Sequence, residues 1–156
     1  MGFVFEKRTR RPPLNEVNAL ISFGNVFLYQ RIATEIRKTP LDIRIGFVHS
    51  AGNRNESLNL DIAEIFKPTI VDRAIFTLIH RMELSKVEHF ETSEDGAVFL
   101  NKIGKKIFIK ELEKKLYQKV KIDGVSRTYD TLIRNEIQKI VHTVKNGEKY
   151  KPYKYT

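Results

Sequence analysis

Apolar residues recur at helical spacing in several stretches of the chain, and turn-forming residues separate them. In "NEVNALISFGNVFLYQRIATEIRK", Val17, Leu20, Ile21, Phe27, Leu28, Ile32 and Ile36 follow a period near 3.6. This predicts a long helix with Asn15 as its N-cap and Pro40 as its stop. Gly24 inside it either weakens the helix or lets another backbone come close. "LDIRIGFVH" alternates Leu41, Ile43, Ile45 and Phe47, which predicts a short extended segment feeding His49. Ser57 is placed to cap a second helix with the stripe Leu58, Ile62, Ile65 and Phe66, and Pro68 marks its end or a kink. "TIVDRAIFTLIHRME" continues as a further helical run, and "EHFETSEDGAVFL" reads as a hairpin around Glu94-Asp95-Gly96. Two lysine-rich amphipathic helices, roughly 101–121 and 127–146, close the pattern, with Ser126 and Gly147 bounding the second. The tail "EKYKPYKYT" is expected to be loose or docked only through its tyrosines. The fold class predicted is mainly α with one small β-hairpin.

A chain of 156 residues is most simply one domain. Within it, 1–14 read as a basic, proline-stiffened linker, 15–147 as a helical core with its hairpin near 88–100, and 148–156 as a tail. No apolar run approaches the roughly 18 residues of a membrane span, and "MGFVFEKRTRRPP" lacks the apolar core of a signal peptide. The chain has no cysteine, which rules out disulfides and thiolate metal sites and fits a cytoplasmic protein without a membrane role. Any metal must therefore be held by oxygen and imidazole.

Charge is unevenly spread along the chain. Residues 1–40 hold seven Lys/Arg against three Asp/Glu, residues 41–95 six against ten, and residues 96–156 fifteen against six. Two basic flanks enclose an acidic middle. Basic surface attracts polyanions, nucleic acid above all, and a cation site would require acid concentrated inside such a chain. A solubilising lysine-rich surface is the plainer reading of the same numbers.

The acidic middle contains "GFVHSAGNRNESLNLDIAEIFKP", where His49 precedes a helix carrying Asp61 and Glu64 on the border of its apolar stripe. Like charges three residues apart on a helix repel by about 0.2–0.5 kcal/mol, and burial raises that cost. A cation removes the penalty, and an imidazole with two carboxylates suits Mg2+ or Mn2+. Such an ion polarises a phosphoryl oxygen, the chemistry of phosphodiester exchange. The structural alternative pairs Glu64 with Lys67, lets Asp61 interact with the helix dipole, and makes His49 an ordinary core-border histidine. His80, His89 and His142 are read as structural.

The order of "RRPPLNEVNALISFGN", "IGFVHSAGNRNESLNLDIAEIFKPTIVDRAIF" and "FLNKIGKKIFIKELEKKL" resembles the CRISPR-associated integrase that inserts new spacers into CRISPR arrays. The resemblance covers most of the chain and implies its helical C-terminal domain, a metal-dependent DNA endonuclease and integrase acting by transesterification. It implies Mg2+ or Mn2+ held by His49 and Glu64, with Asp61 close by as the first acid of the motif, and Asn18 of the N-A-L-x-S signature in support. Arg8, Arg10, Arg11, Arg54 and Arg73 are candidate contacts to double-stranded DNA, and Arg73 could equally pair with Asp72 or a neighbouring helix. The implied partners are a small subunit of the CRISPR adaptation complex and a second copy through an N-terminal β-rich domain. The chain departs from the pattern in two ways. The family's third ligand, a glutamate of an E-G motif, lies upstream of the R-R-P-P segment, and neither Glu6 nor Glu16 matches it. Asn25 also stands where many relatives have tyrosine. The expectation is thus a C-terminal portion whose chemistry is impaired in isolation. The competing expectation is a non-catalytic DNA-binding or assembly module.

Overall fold

The structure is a computed structural model that describes residues 2–48 and 56–154. His49 and Arg54 lie outside the described residues. The elements run α1 (Glu16–Ile36), α2 (Leu58–Lys67), a π-helical turn (Pro68–Asp72), α3 (Arg73–His80), α4 (Lys86–His89), β1 (Phe90–Thr92), β2 (Val98–Leu100), α5 (Lys102–Leu116), β3 (Lys119–Ile122), β4 (Val125–Thr128) and α6 (Tyr129–Asn146). The fold is mainly α, as the periodicity predicts. The chain gathers into two compact units, residues 1–26 with 69–115 and residues 27–68 with 116–156.

The first unit is organised around the front half of α1. Asn15 caps this helix by accepting the Asn18 amide at 2.8 Å. Gly24 is needed there because a Cβ would lie 2.6 Å from Val71 Cγ1 and 3.2 Å from the Phe108 ring. The expectation of a close backbone is met elsewhere, at Gly104, where a Cβ would collide with the carbonyl oxygen of His89. The hairpin forms as predicted, with Phe90, Glu91 and Thr92 opposite Leu100, Phe99 and Val98, and Gly96 turning at φ +83°. α5 is shorter than the pattern indicates because its apolar face ends with the buried Phe108, Leu112 and Leu116.

The second unit pairs α2 with α6 and the rear half of α1. Here two expectations fail. Residues 41–48 form no strand: 43–44 make a turn and 47–48 a bend. Asp42 accepts the Arg44 amide at 3.0 Å, and its carbonyl accepts the Ile45 amide at 3.1 Å. This local hydrogen bonding competes with a strand and wins. "KVKIDGVSRT" is also not helical: it is a second hairpin, with Ile122 opposite Val125 across Asp123 (φ +50°) and Gly124 (φ +77°). Asp-Gly turns with both φ positive match the right-handed twist of paired strands, and this signal outweighs the lysine-rich helical pattern. α6 then starts at Thr128, whose hydroxyl accepts the Thr131 amide at 3.1 Å. It ends at Gly147, which takes φ +69° as expected of a C-terminal cap.

Pro68 supplies the break expected after α2. The residues from Pro68 to Asp72 take a π-helical turn before α3 resumes. A proline lacks the amide that would continue the α ladder and clashes with the preceding turn, and a widened turn accommodates both.

Candidate metal and nucleic-acid site

α2 carries the two acids, and the structure gives them different surroundings. Asp61 is 3% exposed. Its Oδ2 accepts the backbone amides of Phe47 at 2.6 Å and Val48 at 2.9 Å. A carboxylate that receives two amides makes charge-assisted bonds about twice as strong as neutral ones. Asp61 is thus an anchor for the two residues that immediately precede His49 in the chain. Glu64, one turn on, is exposed and pairs with Lys67, whose ammonium also lies 5.0 Å from the centre of the Tyr29 ring. The Glu64–Lys67 pair is the one anticipated from their spacing. An exposed pair of this kind stabilises by at most about 1 kcal/mol, so its carboxylate remains available to a better cation.

The start of α2 is unusual for a helix N-terminus. Ser57 occupies the cap position, but its fully buried hydroxyl makes no capping bond and has no hydrogen-bond partner among the described residues. Asn59, 3% exposed, donates to the Tyr29 carbonyl at 3.3 Å and to Glu56 at 3.2 Å, while its Oδ1 has no partner among the described residues. The main chain does part of the capping instead: the Ile43 carbonyl accepts the amides of both Ser57 and Leu58 at 2.9 Å.

In the first unit, Asn18 is fully buried and works as a latch on the opening segment. Its Oδ1 accepts from Arg8 at 2.9 Å and from the Thr9 amide at 3.1 Å, and its Nδ2 donates to the Lys7 carbonyl at 2.8 Å. Arg8 reaches on to the Ser22 hydroxyl at 3.1 Å. Asn18 and Ser22 are the two polar residues of N-A-L-I-S, so one turn of α1 presents both to one guanidinium. Arg10, Arg11 and Arg73 are exposed, and no ion pair of theirs is formed among the described residues. Glu16 lies 3.8 Å from Lys86.

The first 114 residues match the family described as CRISPR associated protein Cas1. The chain belongs to the Cas1 family. It is 45% identical over 153 residues to the CRISPR-associated endonuclease Cas1 2 of Thermodesulfovibrio yellowstonii, covering 97% of this chain and 46% of that protein. It therefore spans about half the length of the curated relatives it matches. A solved Cas1 protein from Thermotoga maritima superposes with a TM-score of 0.83 at 38% identity, over 96% of this chain and 45% of that one. A casposase bound to its integration product has a TM-score of 0.86 at 22% identity, over 96% of this chain and 45% of that one, and shares the fold.

For this Cas1 chain, the residues named from sequence sort into distinct roles. Asp61 and Asn18 are buried hydrogen-bonding hubs. Arg8 is committed to Asn18 and Ser22, whereas Arg10, Arg11 and Arg73 stay exposed. Among the described residues no three His, Asp or Glu side chains converge as a metal cluster. His89 is structural, its Nδ1 accepting the Ser85 amide at 2.8 Å, and His80 and His142 are exposed on helices. The sequence pattern marks Ser57 only as a helix cap, a bond its side chain does not make, and gives no role to Asn59. Their polar side chains next to Asp61 in "ESLNLD" were the available signal.

Proposed function

We propose that this chain is the helical part of a Cas1 integrase that joins spacer DNA to a CRISPR array by metal-assisted transesterification in the cytoplasm. The observation that carries the reading is Asp61, a buried acid in a Cas1 chain that ties down the backbone leading into His49. In this reading His49 and Glu64 hold Mg2+ or Mn2+. The donor chemistry fits: an imidazole and an exposed carboxylate, weakly engaged by one lysine, suit either ion. An ion held there would supply charge stabilisation at the target phosphate, where a 3′-hydroxyl would form the new phosphodiester as the original P–O bond breaks and its 3′-oxygen leaves with the proton. Asp61 orients the His49 segment, Asn18 and Arg8 fix the opening segment on α1, and Arg10, Arg11, Arg54 and Arg73 attract the duplex backbone. In the family a glutamate of an E-G motif completes the ligand set, and no Glu-Gly pair occurs in this sequence. The intact protein pairs with a second copy and with the small subunit of the adaptation complex.

The exposed Arg10, Arg11 and Arg73 and the basic flanks would equally serve a second reading, a DNA-binding or assembly module without catalysis. A strand-transfer assay separates the two, with the upstream portion of a Cas1 relative supplied in trans or by fusion. Integration of a labelled fragment that disappears in His49→Ala and Glu64→Ala supports the catalytic reading. Retained DNA binding with no integration, whatever the metal, would transfer the conclusion to the assembly module.

A further inference from the structure

We propose that residues 149–153 form a strap, clasped by Glu136, that positions the Phe47–Val48 segment leading into His49. The functional half of this inference rests on the metal reading above, and its structural half does not.

Glu136 is the clasp. It lies on α6, only 1% exposed, where a carboxylate without donors would be costly. Three donors meet it: the Tyr150 hydroxyl, the Tyr153 amide at 3.1 Å and the Lys139 ammonium at 2.6 Å. Two of the three come from the tail. Lys139 also donates to the Lys151 carbonyl at 2.8 Å and lies 5.9 Å from the Tyr150 ring centre, so one lysine holds both the acid and the strap. Burial first, then the hydrogen bond to Glu136 and that carboxylate's charge, push the Tyr150 phenol above its ordinary value, which keeps its hydroxyl a donor at neutral pH.

The strap reaches the segment through aromatic rings. Tyr150 packs against Phe47 with ring centres 5.5 Å apart. Tyr153 stacks on Phe66 at 6.1 Å with 6° between the planes, and Phe66 is fully buried on α2, the helix that carries Asp61. Phe47 is thus gripped twice, through its amide by Asp61 and through its ring by Tyr150. Its side chain is still half exposed, so it does not sit in a closed core. Exposed segments of this kind open locally without global unfolding, and losing the Tyr150 grip shifts that equilibrium directly. Tyr150 is accordingly a positioning residue, three residues in space from chemistry it does not touch: Tyr150 to Phe47, then along the chain to Val48 and His49.

Hydrogen exchange on the whole chain tests this. In Tyr150→Ala, the Phe47 and Val48 amides should exchange about tenfold faster while Leu132 and Ile133 in α6 keep wild-type rates. Tyr150→Phe retains the ring and loses the hydroxyl, and should fall between the two. The reciprocal variant Phe47→Ala alters an exposed side chain and should speed exchange at the Tyr153 amide, which Glu136 accepts. Unchanged Phe47 and Val48 rates in Tyr150→Ala would overturn the strap, as would an unaltered tail in Phe47→Ala. Mn2+ titration of the same proteins should show affinity lowered about tenfold by Tyr150→Ala. A wild-type chain that binds no Mn2+ would count against the metal reading, while the exchange rates still judge the strap.

Discussion

Asp61 illustrates how one side chain can be placed by its spacing while its partners stay hidden in the sequence. Its position on the shoulder of an apolar stripe is visible in the sequence, and so is its distance from Glu64. Its partners are not, because they are backbone amides fourteen and thirteen residues earlier, and amides look the same at every position. The two bonds predict a specific cost. Asp61→Ala should lower unfolding stability in urea by about 2 kcal/mol, within the usual range for hydrogen bonds to a charged group. Asp61→Asn, which keeps an accepting oxygen without the charge, should lose about half of that. Equal stability of all three proteins would show that the bonds contribute nothing in solution. Glu64 behaves differently: its pair with Lys67 follows from i, i+3 spacing alone, and the structure contains it.

Among the elements, those with a single dominant signal were legible and those with competing signals were not. α1 has a cap, a sustained apolar period and a stop. The first hairpin has Asp-Gly between β-capable residues. The second hairpin also has Asp-Gly, but its strands are short, lysine-rich and exposed or half-exposed along their length, so no buried alternation marks them. The segment 41–48 alternates like a strand, yet local bonding at Asp42 takes it into turns. Charges also link α1 to α6: the pairs within each helix follow i, i+3 and i, i+4 spacing, but the crossings Arg31–Asp130 and Arg134–Glu35 leave no local pattern. Arg31 bonds Glu35 at 2.7 Å and pairs with Asp130, while Arg134 bonds Asp130 at 2.9 Å and lies 3.7 Å from Glu35. Lys38 adds a further bond to Glu35 at 2.8 Å. Burial pushes the Glu35 carboxyl up, but the bonds from Lys38 and Arg31 outweigh it and hold the group below its ordinary value of 4.5. A carboxyl lowered in the folded state stabilises the fold above its unfolded value and loses that contribution as pH falls through the folded one. The urea midpoint should therefore be level above pH 4.5 and decline below it, with a shallower decline in Glu35→Gln. Parallel profiles for the two proteins would remove Glu35 from the account.

The whole molecule combines a family likeness with a charge pattern that suits it. The acidic middle of the sequence contains the proposed ligands, and the basic flanks contain exposed Arg10, Arg11 and most of the lysines. Association with DNA through such flanks would weaken steeply with salt. The central claim is narrower: His49 and Glu64 share one divalent ion, on a segment that Asp61 holds in place. Crystals of this chain grown with Mn2+ and measured at a wavelength where manganese scatters anomalously address it directly. The account predicts an anomalous peak within ligand distance of both the His49 imidazole and the Glu64 carboxylate, lost in His49→Ala. A peak elsewhere, or a fully ordered His49 directed away from Glu64 with no peak at all, would contradict it.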